Sequence, residues 1–258
     1  MNRRSALFVL AGSATALRAS DPSRVPVLVE LFTSEGCSSC PPADALLISL
    51  DRQSIDGVEV IPLSEHVDYW NHLGWKDSFS SPLFSARQQQ YAVRFGVDSV
   101  YTPQMVINGR GEALGSDSSK VYTAIERDAK AARASLRIQV LDPVGDDPPN
   151  AVRLKVTVDA IPESLKKETL DLLLAVTESG LSSSVRNGEN AGRVLRHTGV
   201  VRSLTRVAEL EPKKSRGYTA TLMTQVARNW DRRAVRAVLF LEGRDTRAIA
   251  GVASCTLG

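Results

Sequence analysis

The feature that most constrains this chain is a cysteine pair, Cys37 and Cys40, placed between a predicted strand and a predicted helix. The apolar run at 27–32 favours a strand that is covered on both faces. Gly36 marks a turn, and helical spacing follows from Asp44. A helix N-terminus carries partial positive charge and free N–H groups, which favour a thiolate over a thiol. The arrangement therefore predicts a site of thiol–disulfide exchange.

The first 19 residues have the three parts of a secretory signal peptide. Arg3 and Arg4 form the basic start, an apolar centre follows at 6–17, and small residues continue to Ala19. The apolar run is shorter than the ~20 residues that a membrane span needs. We therefore expect an exported protein, periplasmic or secreted, with no membrane span in its mature form. The Sec route is expected, and the paired arginines also permit the twin-arginine route.

The charge balance changes when this segment is removed. It contains Arg3, Arg4 and Arg18 and no acidic residue, so Lys plus Arg falls from 32 to 29 and equals the 29 Asp plus Glu. The mature chain is formally neutral, and a nucleic-acid partner is not predicted.

A second strand at 58–63 completes a predicted β-α-β unit, whose crossover should be right-handed. The segment 64–77 that follows is rich in aromatic side chains, and a helix then runs from Pro82 to Gly96. The segment contains two of the three histidines and two of the three tryptophans: His66, His72, Trp70 and Trp75.

Pro103 opens the next predicted strand, where it must occupy an edge or entry position because it lacks an N–H. Asn108 and Gly109 then form a hairpin turn signal, and a helix is predicted over 118–133. Gly109 and Gly111 lie in this hairpin and not between a strand and a helix. A dinucleotide cofactor is therefore not predicted, and no other cofactor is.

The pattern changes to period two from Ser135. Clear strands are predicted at 136–140, 152–158 and 170–176, and about seven are predicted before the end of the chain. Several strands at such spacing indicate an antiparallel β-sandwich.

Two motifs resemble a known superfamily. The stretch 32–40 resembles the active-site strand and turn of glutaredoxins and thioredoxins, and 102–109 with 115–117 is similar to their cis-proline strand, hairpin and closing helix. The whole chain further resembles a domain-of-unknown-function family of bacterial secreted thioredoxin-like proteins. That match depends on the run 37–44 and the segment 66–77.

The resemblance implies an α/β thioredoxin-like fold over residues 25–133, with a helical insertion at about 64–96. An all-β antiparallel sandwich would follow over 134–258. The implied function is that of a thiol–disulfide oxidoreductase acting on protein cysteines, with an unidentified redox partner.

The resemblance also implies a role for each residue of the site. Cys37 would be the exposed nucleophile and Cys40 the resolving thiol that breaks the mixed disulfide. Pro103 would be cis and would face the disulfide, with the Thr102 backbone receiving the substrate strand. Trp70 would line a substrate groove, or would instead fill the core beneath the insertion.

Three ionisable side chains are candidates for tuning the pKa of the thiols. Glu30 could accept a proton from Cys40, and a surface or helix-capping role is the alternative. His66 and Asp68 could lie beside the thiols, and the alternative for His66 is a hydrogen-bonded surface position.

Other functions stay open at this point. A copper or other soft-metal protein would use the two thiolates with His66 or His72. A structural zinc site normally needs four ligands, so one cysteine pair predicts no metal. A non-catalytic interaction protein would keep the pair as a structural disulfide. The third cysteine, Cys255, is interpreted as a small buried apolar residue.

The two prolines after the cysteine pair depart from the superfamily pattern. Pro42 is expected to remove a helical hydrogen bond or to delay the start of the helix.

Overall fold

The structure is a computed structural model of the chain and describes residues 24–53, 55–214 and 217–258. The predicted signal peptide lies outside the described residues. The described helices are α1 (Pro41–Arg52), α2 (Pro82–Phe95) and α3 (Ser118–Asp128). The strands are β1 (Val25–Thr33), β2 (Val58–His66), β3 (Gln104–Ile107), β4 (Gly111–Leu114), β5 (Leu136–Leu141), β6 (Ala151–Val158), β7 (Leu170–Glu178), β8 (Leu181–Ser184), β9 (Val194–His197), β10 (Val200–Leu210), β11 (Tyr218–Gln225), β12 (Val235–Gly243) and β13 (Ile249–Thr256).

Eight of these strands form one mixed sheet in the order β13-β12-β7-β10-β2-β1-β3-β4. Strand β1 is parallel to β2 and antiparallel to β3, and β10 is parallel to β2. A three-stranded sheet, β11-β6-β5, and the β8-β9 hairpin complete the described strands.

The predicted fold class is wrong. The chain does not form a thioredoxin-like α/β fold followed by an all-β sandwich, because strands from both halves join the eight-stranded sheet. The reason is visible in β7 and β12, which are buried along almost their whole length. Such strands need cover on both faces, as in the centre of a large sheet. The alternation of buried and more open positions on which the sandwich prediction depended is found in β6 of the three-stranded sheet.

The two halves of the sheet meet where β10 lies beside β2. Val200 pairs with Ser64, and the Ser64 N–H donates to the Gly199 carbonyl at 2.8 Å. Gly199 has φ +59°, and a Cβ at this position would lie 2.5 Å from the carbonyl oxygen of Pro62. Only glycine fits this close approach of two backbones.

The helices cover opposite faces of β1. Val27, Val29 and Leu31 pack with the apolar side chains of α1 and α3. Leu28 and Phe32 point to the other face, where α2 lies. A further apolar cluster unites the three-stranded sheet with β7 and β12. None of the described helices is long and apolar enough to cross a membrane.

Helix α1 begins directly after the second cysteine. Cys40 is its N-cap residue, and Pro41 and Pro42 occupy the first two helical positions. The first N–H groups of a helix have no intrahelical partner, so proline costs no hydrogen bond there. Neither effect expected of Pro42, a lost helical hydrogen bond or a delayed helix start, is therefore found. The two prolines do remove two N–H donors from the end that faces the thiols.

Candidate functional site

Cys37 and Cys40 form a disulfide in the turn between β1 and α1, with their Cα atoms 5.4 Å apart. Both residues are fully buried, whereas Ser38 and Ser39 between them are exposed. The disulfide therefore lies just below the surface, under its own connecting residues. The resemblance implied an exposed Cys37, and the structure places it out of contact with solvent.

The proline loop before β3 lies against this disulfide. The Thr102–Pro103 peptide bond is cis. The carbonyl oxygen of Thr102 lies 3.9 Å from the Cys37 Sγ and accepts a hydrogen bond from the Ser39 hydroxyl at 3.4 Å. Trp70 donates from Nε1 to the Thr102 Oγ1 at 2.9 Å. The structure thus brings five of the predicted residues together: Cys37, Cys40, Thr102, Pro103 and Trp70.

Trp70 also contacts the turn itself. A Cβ at Gly36 would lie 3.2 Å from the Trp70 Cβ, so the indole-bearing residue packs directly against the glycine before Cys37. This contact fixes the position of Trp70 between the cysteine turn and the proline loop.

A buried ionic cluster lies beside the cysteine turn, and we call its members Glu35, Asp44 and His197 the His197 cluster. His197, at the end of β9, places Nε2 3.4 Å from Glu35 Oε1 and Nδ1 3.6 Å from Asp44 Oδ1. Both distances are long for a hydrogen bond, and neither ring nitrogen has a hydrogen-bond partner. Asp44 follows Cys40 by one helical turn, so the two share a face of α1.

A second histidine extends this cluster. His66 lies 4.8 Å from His197, centroid to centroid, and its Nδ1 is 2.7 Å from the Asp77 Oδ2. The same carboxylate oxygen accepts the Glu35 N–H at 2.9 Å. His66 is fully buried, so its predicted surface alternative is wrong. It reaches the cysteine turn through Asp77 and His197.

The electrostatics of the cluster favour charged forms. Burial lowers the pKa of His197, but the Asp44 and Glu35 carboxylates outweigh it and raise that pKa to about 9. Burial raises the pKa of Glu35, but His197, with smaller help from Ser183 and Trp75, leaves it below its usual value. The pKa of Asp77 is likewise lowered, because His66 and two backbone N–H groups outweigh burial. An imidazolium is therefore held near the disulfide at neutral pH.

The loop between β8 and β9, residues 185–193, lies over the cysteine turn. Asn190 is fully buried, and its Nδ2 donates to the carbonyl oxygens of Glu35 and Cys37, both at 2.9 Å. Glu189 accepts the Ser38 N–H at 3.0 Å. The second half of the chain thus supplies part of the surroundings of the disulfide.

Two candidates for pKa tuning lie elsewhere. Glu30 contacts Arg87 at 2.5 Å and the Tyr91 hydroxyl at 2.6 Å, on the face of β1 away from α1. Asp68 accepts a hydrogen bond from the Ser85 hydroxyl at the start of α2. The structure does not place either carboxylate in contact with the cysteines.

The residues of the soft-metal alternative are not assembled. His66 is buried against Asp77, whereas His72 is exposed. Within the described ranges, no group of three or more His, Cys, Asp and Glu side chains is arranged to hold a metal ion. Cys255 is partly buried in β13, and burial raises its thiol pKa to about 11.

Sequence reasoning missed six residues of the site: Glu35, Asp44, Asp77, Glu189, Asn190 and His197. Asp44 belongs to the run 37–44 that carried the family resemblance, and Asp77 ends the segment 66–77 that also carried it. Those two motifs held a usable signal. His197 and Asn190 had none, because only the folded chain brings β9 and its loop to the cysteine turn.

The family model described as "Protein of unknown function (DUF1223)" matches residues 28–242. The chain belongs to this family. The match covers most of both halves of the chain, and it gives no support to membership in the thioredoxin superfamily. No curated protein matches the chain.

Two solved structures resemble this member of the DUF1223 family. Protein AGR_C_4864 from Agrobacterium tumefaciens aligns with a TM-score of 0.66 and 26% identity, over 91% of this chain and 96% of that one. HBP35 of Porphyromonas gingivalis aligns with a TM-score of 0.64 and 14% identity, over 91% of this chain and 76% of that one. At that identity the second likeness concerns the fold alone. Both likenesses span the two halves of the chain, as the eight-stranded sheet does.

Proposed function

We propose that this protein is an exported thiol–disulfide oxidoreductase that exchanges its Cys37–Cys40 disulfide with the cysteines of other proteins. The observation that carries the proposal is the position of the Cys37 Sγ, 3.9 Å from the Thr102 carbonyl oxygen beside the cis peptide bond. That carbonyl is a backbone acceptor next to the sulfur, where a substrate chain can be held during exchange.

The exchange needs no cofactor, because electrons pass between sulfur atoms. A substrate thiolate attacks the Cys37 Sγ, the Cys37–Cys40 bond breaks, and Cys40 leaves as a thiolate. A second substrate thiolate then attacks the substrate sulfur of the mixed disulfide and releases Cys37. The substrate becomes a disulfide, and its two protons end on Cys37 and Cys40. An unidentified redox partner would reoxidise the dithiol, taking two electrons and two protons.

The His197 cluster supports this chemistry electrostatically. The helix N-terminus has lost two N–H donors to Pro41 and Pro42, so it offers a developing thiolate less than an ordinary helix end would. A histidine held in its cationic form near the turn compensates for that loss. Asp44, one helical turn after Cys40, contacts this histidine.

The proposed location is an oxidising compartment outside the cytoplasm. The signal-like residues 1–19 support export, and a paired disulfide is typical of such compartments. Partners are proposed to be protein thiols and disulfides, with Thr102 and Trp70 contributing to the surface that receives them.

Trapping of the mixed disulfide tests the proposal. Cys40→Ser, purified from an exporting host, should accumulate proteins bound to Cys37 that reducing agent releases. Cys37→Ser and Cys255→Ser are the matched controls and should trap none. Stoichiometric copper in the wild-type protein, without trapped partners in Cys40→Ser, would contradict the proposal.

One observation favours a second candidate function, a non-catalytic interaction protein with a structural disulfide. Both cysteines are fully buried, as an inert disulfide would be. A Cys37–Cys40 bond that resists dithiothreitol for as long as the protein stays folded would support this candidate over the first.

A further inference from the structure

The loop at 185–193 is hydrogen-bonded to the turn that holds the buried disulfide. This loop joins β8 to β9 and contacts the cysteine turn through Glu189 and Asn190, while Gly188 packs against Leu73 and Trp75. The inference below rests on the proposed function and concerns how access to that site is controlled.

Asn190 is the anchor of the loop. Its Nδ2 group donates to the carbonyl oxygens on both sides of Gly36, those of Glu35 and Cys37. Its Oδ1 accepts from the Arg193 Nη1 at 3.0 Å. The carboxamide is fully buried, and both its amide group and its oxygen are hydrogen-bonded. It holds the loop against the turn until another donor takes the two carbonyl oxygens.

The two residues before Asn190, Gly188 and Glu189, also hold the loop in place. The Glu189 carboxylate accepts the Ser38 N–H, and interactions with the Ser38 hydroxyl and then with this N–H lower the Glu189 pKa. A Cβ at Gly188 would lie 3.2 Å from the Trp75 Cβ, so the loop backbone rests on the aromatic segment. Gly188 has φ +77°, a conformation that favours glycine.

The backbone groups used by the loop are those that a peptide would use. Two carbonyl oxygens and one N–H of the cysteine turn are paired with an amide and a carboxylate of the loop. The N–H and C=O groups of an extended polypeptide can replace an amide donor and a carboxylate acceptor. A small thiol lacks this set of groups, so it reacts with the disulfide only after the loop opens spontaneously.

We propose that residues 185–193 are an intramolecular cap that occupies the polypeptide-binding surface of the Cys37–Cys40 disulfide. The partner that displaces the cap is an extended polypeptide segment carrying a cysteine. In the capped state the disulfide is protected from exchange, and withdrawal of Asn190 exposes the Cys37 Sγ together with the backbone groups that receive the partner.

The test compares the reduction rates of the native disulfide in four full-length proteins: wild type, Asn190→Ala, Glu189→Gln and Asn187→Ala. Asn187 is an exposed residue of the same loop, so its variant is the matched control. Reduction by dithiothreitol is followed by maleimide labelling of the released thiols, under conditions in which circular dichroism shows folded protein.

Loss of the two Asn190 hydrogen bonds should accelerate reduction by about tenfold or more, since opening of the cap precedes reaction. Glu189→Gln, which weakens a charged acceptor at the surface, should give a smaller increase, and Asn187→Ala should match wild type. An Asn190→Ala rate equal to that of Asn187→Ala, with both proteins folded, would overturn the cap. If Asn190→Ala does not fold, Glu189→Ala decides in its place by the same comparison with Asn187→Ala.

A second reductant separates the cap from the proposed function. For each protein, the rate of reaction with a reduced, unfolded peptide that has one cysteine is divided by the rate with dithiothreitol. This ratio should be higher in wild type than in Asn190→Ala, because the peptide displaces the cap and dithiothreitol does not. Faster reduction of Asn190→Ala by dithiothreitol with no exchange against protein thiols would overturn the oxidoreductase and not the cap. Exchange by wild type with equal rates in all variants would overturn the cap and not the oxidoreductase.

Discussion

Two buried ionic clusters lie on opposite faces of β1, and they are built differently. In the first, which we call the Arg87 cluster, Arg87 lies 2.5 Å from Glu30 and 2.8 Å from Glu242, with the Tyr91 hydroxyl 3.1 Å away. In the His197 cluster, the cation lies 3.4 and 3.6 Å from its carboxylates and makes no hydrogen bond.

The two clusters also differ in which of their side chains are charged. In the Arg87 cluster, burial raises the pKa of the neighbouring Glu65 well above its usual range, and Glu30 and Glu242 add to the rise, against the opposing effect of Arg87. Glu65 is thereby kept neutral, and Arg87 and Arg247 balance the two remaining carboxylates. In the His197 cluster, one imidazolium faces two carboxylates.

The difference indicates a division of roles. Arg87 joins α2 to β1 and β12, which belong to the two halves of the chain, through short and well-directed contacts. Such a cluster specifies structure. The His197 cluster is more loosely paired and lies beside the disulfide, where a change in charge can be accommodated. We expect the first to dominate stability and the second to dominate reactivity.

The largest effect is expected from Arg87→Ala. It leaves Glu30 buried without a cation and Glu242 with Arg247 alone, and breaking a buried pair in this way costs about 3–5 kcal/mol. Urea unfolding measures the loss. Gln90→Ala, at an exposed position of the same helix, should change the free energy of unfolding by less than about 0.5 kcal/mol. Equal losses in the two variants would remove the structural role assigned to Arg87.

A pH-dependent effect is expected from His197. Its pKa rises from 6.5 to about 9 on folding, so its stabilisation is fully present below pH 6.5 and is lost as the pH rises through about 9. The full shift corresponds to about 3 kcal/mol. Wild type should therefore exceed His197→Gln by up to this amount at pH 6, and the difference should shrink towards pH 10.

The matched control for this pH series is His72→Gln, because His72 is exposed. Its difference from wild type should stay small across the same pH range. A wild-type advantage over His197→Gln that grows with pH would have the wrong sign and would refute a cationic His197.

A smaller effect is expected when the disulfide is removed. A crosslink that closes so short a loop contributes about 2 kcal/mol, chiefly through the unfolded chain. The double variant Cys37→Ala/Cys40→Ala should therefore lose less stability than Arg87→Ala, with Cys255→Ala as the control thiol. A larger loss than that of Arg87→Ala would make the disulfide the main structural crosslink and would favour the non-catalytic candidate.

The smallest effect on stability is expected from Trp70→Phe. It removes the Nε1 hydrogen bond to Thr102 and keeps an aromatic ring, so unfolding should change by about 1 kcal/mol. Exchange with a cysteine peptide should slow, because Thr102 loses the hydrogen bond that holds its side chain in the proline loop. Trp230→Phe, in the turn before β12, should leave the exchange rate unchanged. Equal exchange rates in the two variants would show that Trp70 does not contribute to the surface that receives the substrate.

The sequence predicts the elements that depend on neighbouring residues and fails for those that depend on contacts between distant parts of the chain. The strand, turn and helix around Cys37 and the hairpin after Pro103 depend on local patterns, and the structure has both. The fold class failed because nothing local to β2 or β10 signals the pairing of Ser64 with Val200, which joins the two halves.

The site divides in the same way. The cysteine pair and Thr102–Pro103 were visible as motifs, whereas His197 and Asn190 reach the site from the second half of the chain. Glu30 was a candidate proton acceptor for Cys40, but alternation along β1 turns its side chain to the face of α2. A single strand cannot show which of its faces will meet the helix that carries the cysteines.

The reduction potential of the Cys37–Cys40 pair tests the central claim most directly. The folded protein is equilibrated with mixtures of reduced and oxidised dithiothreitol, and the fraction of free thiol is measured while circular dichroism monitors the fold. Structural disulfides have reduction potentials below about −300 mV. An exchange-active Cys37–Cys40 pair should have a higher reduction potential and should be reduced reversibly in the folded protein. A potential below that value, or reduction that occurs only when the protein unfolds, would contradict the account.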